Sequence, residues 1–207
     1  MTCVLGCESR QRGDTPELAD TPSAIDSGAA PVDEPVFEIA LWPGEGIPVL
    51  EGVADTLTLR AEPLVRSAAI ATLVGMRGAG VTYDSTRYQT IVPVRAIAQD
   101  SVLFRGRDFG AVRLLLREQY TANVPTRVVS VGAGATIDYL QARAEGTCFV
   151  RLDSTVLEAE QCVVLDRSRF AVQGQPETRW WVHVTRNDGA GWLLISDSTV
   201  RVVRRTF

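Results

Sequence analysis

The run Trp181-Val182-His183-Val184-Thr185-Arg186-Asn187-Asp188-Gly189-Ala190-Gly191-Trp192-Leu193-Leu194-Ile195 decides how the chain is read. Successive side chains of a strand point to opposite faces, so Val182 and Val184 share one face while Trp181 and His183 share the other. Asn187, Asp188 and Gly189 accept positive φ, which marks a hairpin turn between two strands. Working outward, β-branched and aromatic residues cluster in short runs bounded by turn residues. The runs predict strands over 36–41, 56–60, 69–74, 80–84, 88–94, 101–104, 126–131, 135–141, 147–152, 179–185, 192–195 and 199–203. A single helix is expected over 112–120, Val112 to Tyr120. Strands at this spacing predict an all-β chain of small barrels or sandwiches.

An internal repeat sharpens the reading. Gly78-Ala79-Gly80-Val81-Thr82-Tyr83-Asp84 returns as Gly132-Ala133-Gly134-Ala135-Thr136-Ile137-Asp138, with strand-like runs before and after each copy. The glycines permit a tight corner between neighbouring strands. The repeat predicts two copies of one β module in tandem, residues 36–120 and 121–207.

The second copy is similar to the end of the bacterial SH3-like (SH3b) family. The resemblance rests on Trp181–Val184, the Gly-rich hairpin, the strand Gly191-Trp192-Leu193-Leu194-Ile195, the turn Asp197-Ser198-Thr199 and the closing Val200-Arg201-Val202-Val203. The first copy resembles the family through Thr58-Leu59-Arg60-Ala61-Glu62-Pro63, its Leu-x-x-Arg-x-x-Pro opening, and through the strand from Gly80. The resemblance implies small barrels and binding of peptidoglycan, peptides or partner domains in the bacterial envelope.

Val4-Leu5-Gly6-Cys7 resembles the lipobox of bacterial lipoproteins, whose Cys is lipidated and becomes the new amino terminus. Residues 1–7 are then the remnant of a signal, and a basic then apolar stretch is expected upstream of Met1. Residues 8–35 carry seven acids, two Arg and no aromatic residue. Such a stretch buries too little to offset its chain entropy and is expected to be a disordered acidic tether. Removing the tether leaves the rest of the chain nearly neutral, so no charged partner is steered to it. The whole chain has formal net charge −4 and pI near 5.1, which argues against a nucleic-acid partner. All 21 basic residues are Arg.

The chemistry-bearing residues are few. Cys148 and Cys162 form the remaining even pair, without a Cys-x-x-Cys. In an exported chain they oxidise to a disulfide; otherwise they pack as two buried thiols. His183 is the one histidine, and no Gly-x-Ser-x-Gly elbow accompanies it. The Gly-rich pieces lack the Lys of a phosphate loop. Glu158-Ala159-Glu160 reads as a solvated loop. No catalytic residue, metal ligand or cofactor site is expected. Three of the four Trp fall within 180–192. Trp180 and Trp192 either fill the core, or Trp181 and Trp192 share a face with Tyr139 and His183 as a groove for sugar rings or peptides. The expectation is therefore a lipid-anchored, non-catalytic envelope protein that binds peptidoglycan or a protein partner through Tyr139, Trp181, His183 and Trp192. The rival readings are a structural or assembly component of the envelope, and a cell-wall hydrolase of unfamiliar design.

Overall fold

A computed structural model describes residues 34–42, 46–187 and 189–206, without the side chains of residues 145 and 204–206. The lipobox with Cys7, and the tether up to residue 33, lie outside the described residues. At the tether's predicted end, Glu34 is already engaged with Arg66 (2.7 Å) and Arg113 (3.2 Å).

The protein is all-β. The first group of strands is β1 (Phe37–Ile39), β2 (Ile47–Gly52), β3 (Thr56–Arg60), β4 (Ala69–Val74), β5 (Gly80–Val81) and β6 (Ser85–Val92). The second is β7 (Val94–Ala98), β8 (Val102–Asp108), β9 (Leu114–Leu115), β10 (Thr126–Val131), β11 (Thr136–Ala142), β12 (Cys148–Leu152), β13 (Thr155–Ala159) and β14 (Phe170–Val172). The chain closes with β15 (Glu177–Arg186), β16 (Gly189–Ile195) and β17 (Val200–Thr206). The α-helix α1 (Arg117–Thr121) is one turn long, and two 3₁₀ turns flank β12 and β14. The helix expected over 112–120 is thus mostly replaced: Leu114 and Leu115 form β9, a parallel partner of β1, which buries Leu115.

Two modules with one strand order emerge. The second runs β10-β8-β13-β12-β11-β7-β14. The first takes up β4-β3-β16-β15-β6 of a seven-stranded sheet that continues into β1 and β9, and its remaining strands form β5-β2-β17. The orders coincide when β11 stands for β5 and β6 together. The hydrogen bonds agree in detail. Gly52 N donates to Ala79 O, as Ala98 N does to Ala135 O, and Gly78 N donates to Gly52 O, as Gly134 N does to Ala98 O. Gly78 therefore corresponds to Gly134 and not, as the sequence repeat aligns them, to Gly132. Both sit at positive φ, 73° and 79°, where a side chain would be strained. The same match recurs at the closing strand: Val53 N donates to Thr199 O, and Gln99 N to Arg169 O, each at 2.8 Å.

The modules are nested, however, not in tandem. The expected division into 36–120 and 121–207 is corrected by the pairing. β15 pairs with β6 from Glu177↔Val92 to His183↔Ser85, and β17 pairs with β2. β10, from the other half, pairs with β8 over six residues. The second module, 94–172, is inserted between β6 and β15 of the first. The physical reason is hydrogen-bond satisfaction. The 177–195 hairpin carries an open edge at β15, and β6 is the strand that fills it.

Each module has its own core. Val94, Ala96, Phe104, Ile137, Tyr139, Val150 and Leu157 belong to one cluster drawn almost wholly from a single sheet. One sheet face can bury itself only by curling around its own side chains. The first module buries Leu50, Leu57, Leu73, Trp180, Val182 and Leu193 in a cluster drawn from both of its sheets. A third cluster, with Phe37, Ile39, Leu115, Leu140, Phe149 and Val156, joins strand β1 to the outer face of the second module.

Cys148 and Cys162 form a disulfide with Cα atoms 5.2 Å apart. The bond ties β12 to the turn that follows β13. Closing a loop of about 15 residues contributes about 3 kcal/mol in the chain-entropy model. Reduction should lower the melting temperature by roughly 6–12 °C, read by circular dichroism with and without reductant. The nesting makes its own prediction. A fragment of residues 94–172 should give a cooperative melt, whereas a fragment of 121–207 should not, because it separates β10 from β8 and β15 from β6. Cooperative folding of 121–207 would restore the tandem arrangement.

Candidate functional site

Alternation along β15 sets out the candidate residues. Trp180, Val182 and Val184 point into the first module's core, opposite Ile195, Leu193 and Gly191 of β16. Trp181 and His183 take the outer face, with Trp192 directly opposite His183. The sequence-predicted face is therefore real, but its members have different fates.

Trp181 is fully buried. Its indole Nε1 donates to Gln89 Oε1 at 3.0 Å. Gln89 Nε2 in turn donates to the Glu38 carboxylate and to Pro63 O. Arg87 pairs with Glu38 at 3.3 Å. Gln89 thus links Trp181 to Glu38 and to the loop that follows β3, and buried Trp181 is a foundation of the face and not a contact surface. Tyr139 is also corrected: it is 2% exposed in the core of the second module. Burial, with the Tyr88 phenol beside it, pushes its hydroxyl pKa up. Its strand presents it inward, opposite Val150 and Val94.

His183 and Trp192 do come together at the surface. Their rings meet edge to face at 5.2 Å, and the Arg87 guanidinium lies 5.8 Å from the Trp192 ring centroid, within cation–π range. His183 Nδ1 donates to Asp84 at 2.9 Å, and Thr185 Oγ1 donates to the same carboxylate at 2.8 Å. Partial burial pushes the Asp84 carboxyl up. The hydrogen bonds from Thr185 and His183, with the His183 charge, outweigh that and hold it below its ordinary value. The carboxylate accepts from Nδ1 and so orients the imidazole ring.

Asp84 and Arg87 also border a cleft of about 660 Å³ between the first module and the loop carrying α1. Its lining includes Leu41, Trp42, Tyr83, Arg87, Arg117 and Arg143. Trp42 packs on Trp180 at 4.3 Å between ring centroids and meets Tyr88 edge-on. Tyr83 OH donates to Pro48 O at 3.0 Å. Arg143 donates to Trp42 O at 2.9 Å and to Tyr120 OH at 3.0 Å. The volume lies within the range of small-molecule and peptide pockets, and junctions between modules are where such pockets concentrate.

None of Trp42, Tyr83, Asp84, Arg87 and Arg143 belongs to the predicted groove. Asp84 ends the first copy of the sequence repeat, which is the one signal that could have marked it. Glu158 was expected in a solvated loop. It is instead 7% exposed in β13, held by Arg107 at 3.2 Å and by Tyr120 OH at 2.9 Å. Among the described residues no group of three His, Cys, Asp or Glu is placed to hold a metal ion.

No protein-family model matches the chain, and no curated protein or solved structure shows significant similarity to it.

The two tryptophans give a direct contrast. Trp181→Ala should cost about 3–5 kcal/mol of stability, as a large buried aromatic does. Trp192→Ala should cost less, about 1–2 kcal/mol, because the indole is only partly buried against His183 and Arg87. Urea denaturation of both variants checks this; equal losses would place Trp192 in the core.

Proposed function

We propose that this chain is a non-catalytic binding protein of the bacterial cell envelope, anchored through Cys7 and built from two SH3-like modules. Its ligand is peptidoglycan or an envelope protein. One observation carries the reading. A cleft of ligand size, walled by Trp42 and Tyr83 and rimmed by Arg87, Arg117 and Arg143, borders through Asp84 and Arg87 on the half-buried His183–Trp192 pair. Aromatic faces beside fixed polar groups suit sugar rings and peptide segments. The disulfide favours an oxidising compartment, and it removes Cys148 as a thiolate nucleophile.

The test is co-sedimentation of purified protein with insoluble peptidoglycan, together with pull-down from envelope extracts. The wild type should pellet, and Trp192→Ala and Arg117→Ala should each weaken binding by about fivefold or more while the fold is retained. One stoichiometric protein in the pull-down, without sedimentation, would assign the cleft to a protein partner. Cell-wall hydrolysis lost in His183→Ala would overturn the non-catalytic reading, as would binding indifferent to both substitutions.

A further inference from the structure

Strand β10 ends its sheet. One side is paired with β8 residue for residue, from Thr126↔Arg107 to Val131↔Val102, with no bulge. Among the described residues no strand pairs with its other side. Bare edges invite another strand, and proteins blunt them with proline, lysine, bulges or unpaired charge. β10, Thr126-Arg127-Val128-Val129-Ser130-Val131, has none of these. Its one charge, Arg127, is neutralised by Asp108 at 3.3 Å. Neighbouring Arg105 is likewise paired with Glu160 at 3.1 Å. Two aliphatic side chains stand out on the same face: Val128 is 60% exposed and Leu103, opposite Ser130, is 68% exposed.

We propose that β10 is a self-association edge, where a second copy of this chain adds its own β10 antiparallel across a two-fold axis. Antiparallel partners must point their side chains to the same face, which restricts the register. With Val128 on the axis, Val128 faces its own copy. Thr126 then faces the second copy's Ser130, and Arg127 faces its Val129. The pairs are aliphatic, hydroxyl-to-hydroxyl and mixed, and no like charges fall opposite each other. The flanking ion pairs are closed within each copy, so no net charge opposes approach. Five paired residues per copy make a contact smaller than the ~800 Å² per partner of a standard interface, so the dimer is weak and concentration-dependent.

β4 is the corresponding edge of the first module, and it too exposes aliphatics, Ile70 and Val74. Its pairing with β3 is broken by a bulge at Leu59/Arg60, which makes it the less regular template.

Sedimentation velocity of the full chain from about 5 µM to about 500 µM tests the proposal, in the range where an interface this small would associate. The wild type should shift from monomer to dimer. Val128→Lys and Ser130→Lys, both at exposed positions, should each weaken the dimer at least tenfold with an unchanged circular-dichroism melt. Val74→Lys should dimerise like the wild type. A wild type that stays monomeric across the range overturns the proposal, as does a dimer indifferent to both β10 substitutions. Open-ended assembly lost in Val74→Lys as well as Val128→Lys would mean β4 pairs with β10 of the next copy, and would overturn the two-fold form.

Discussion

The antiparallel pairing of β6 with β15 is the contact on which the rest depends. It joins residues far apart in the chain: Thr86 Oγ1 donates to Trp181 O across 95 positions. Without it the 177–195 hairpin has an unsatisfied edge and the first module has no wall. The same pairing places Val92 opposite Glu177, so the chain leaves for the second module and returns at adjacent points. An insertion with neighbouring ends can be accommodated without opening its host. The cost is kinetic, since pairing at such sequence separation is slow to close.

Arginine holds the two modules and the segment before β2 together. Arg151, Arg113 and Arg143, all from the inserted module, donate to the carbonyls of Val36, Pro35 and Trp42 at 2.6, 2.9 and 2.9 Å. Arg143 reaches Trp42 O, Tyr120 OH and the Glu158 carboxylate from one planar head. A guanidinium can serve several acceptors in fixed directions, which an ammonium on a flexible stem does less well. Between these clasps lies the apolar seam of Phe37, Ile39, Leu140, Phe149 and Val156. The cleft opens beside this joint, so Arg143 both fastens the modules and lines the candidate site.

Much of the site stayed out of reach of a linear reading for one geometric reason. Alternation says that Trp181 and His183 share a face, but not which loops settle on it. Trp181 ends fully buried with its indole tied to Gln89, whereas Trp192 is only partly buried. Tyr139 looked equivalent to the tryptophans because its strand also alternates, yet the curl of its own sheet turned it inward. Asp84 and Arg87 were invisible as site residues because their relation to His183 and Trp192 exists only once β6 pairs with β15. Glu158 looked solvated because glutamate usually is; only the approach of Arg107 and Tyr120 makes its burial tolerable.

From the residues alone came the all-β class, the duplicated module with its glycine corner, the hairpin, and the Cys148–Cys162 pair. Each depends on local chemistry: two-residue periodicity, positive φ and residue composition. Tertiary structure alone decided that the copies are nested, that Gly78 answers to Gly134, and that His183 and Trp192 stay at the surface while Trp181 and Tyr139 do not. Strand partners are chosen by which edges remain open and which faces remain wet after the whole chain has closed, and no stretch of sequence carries that information by itself.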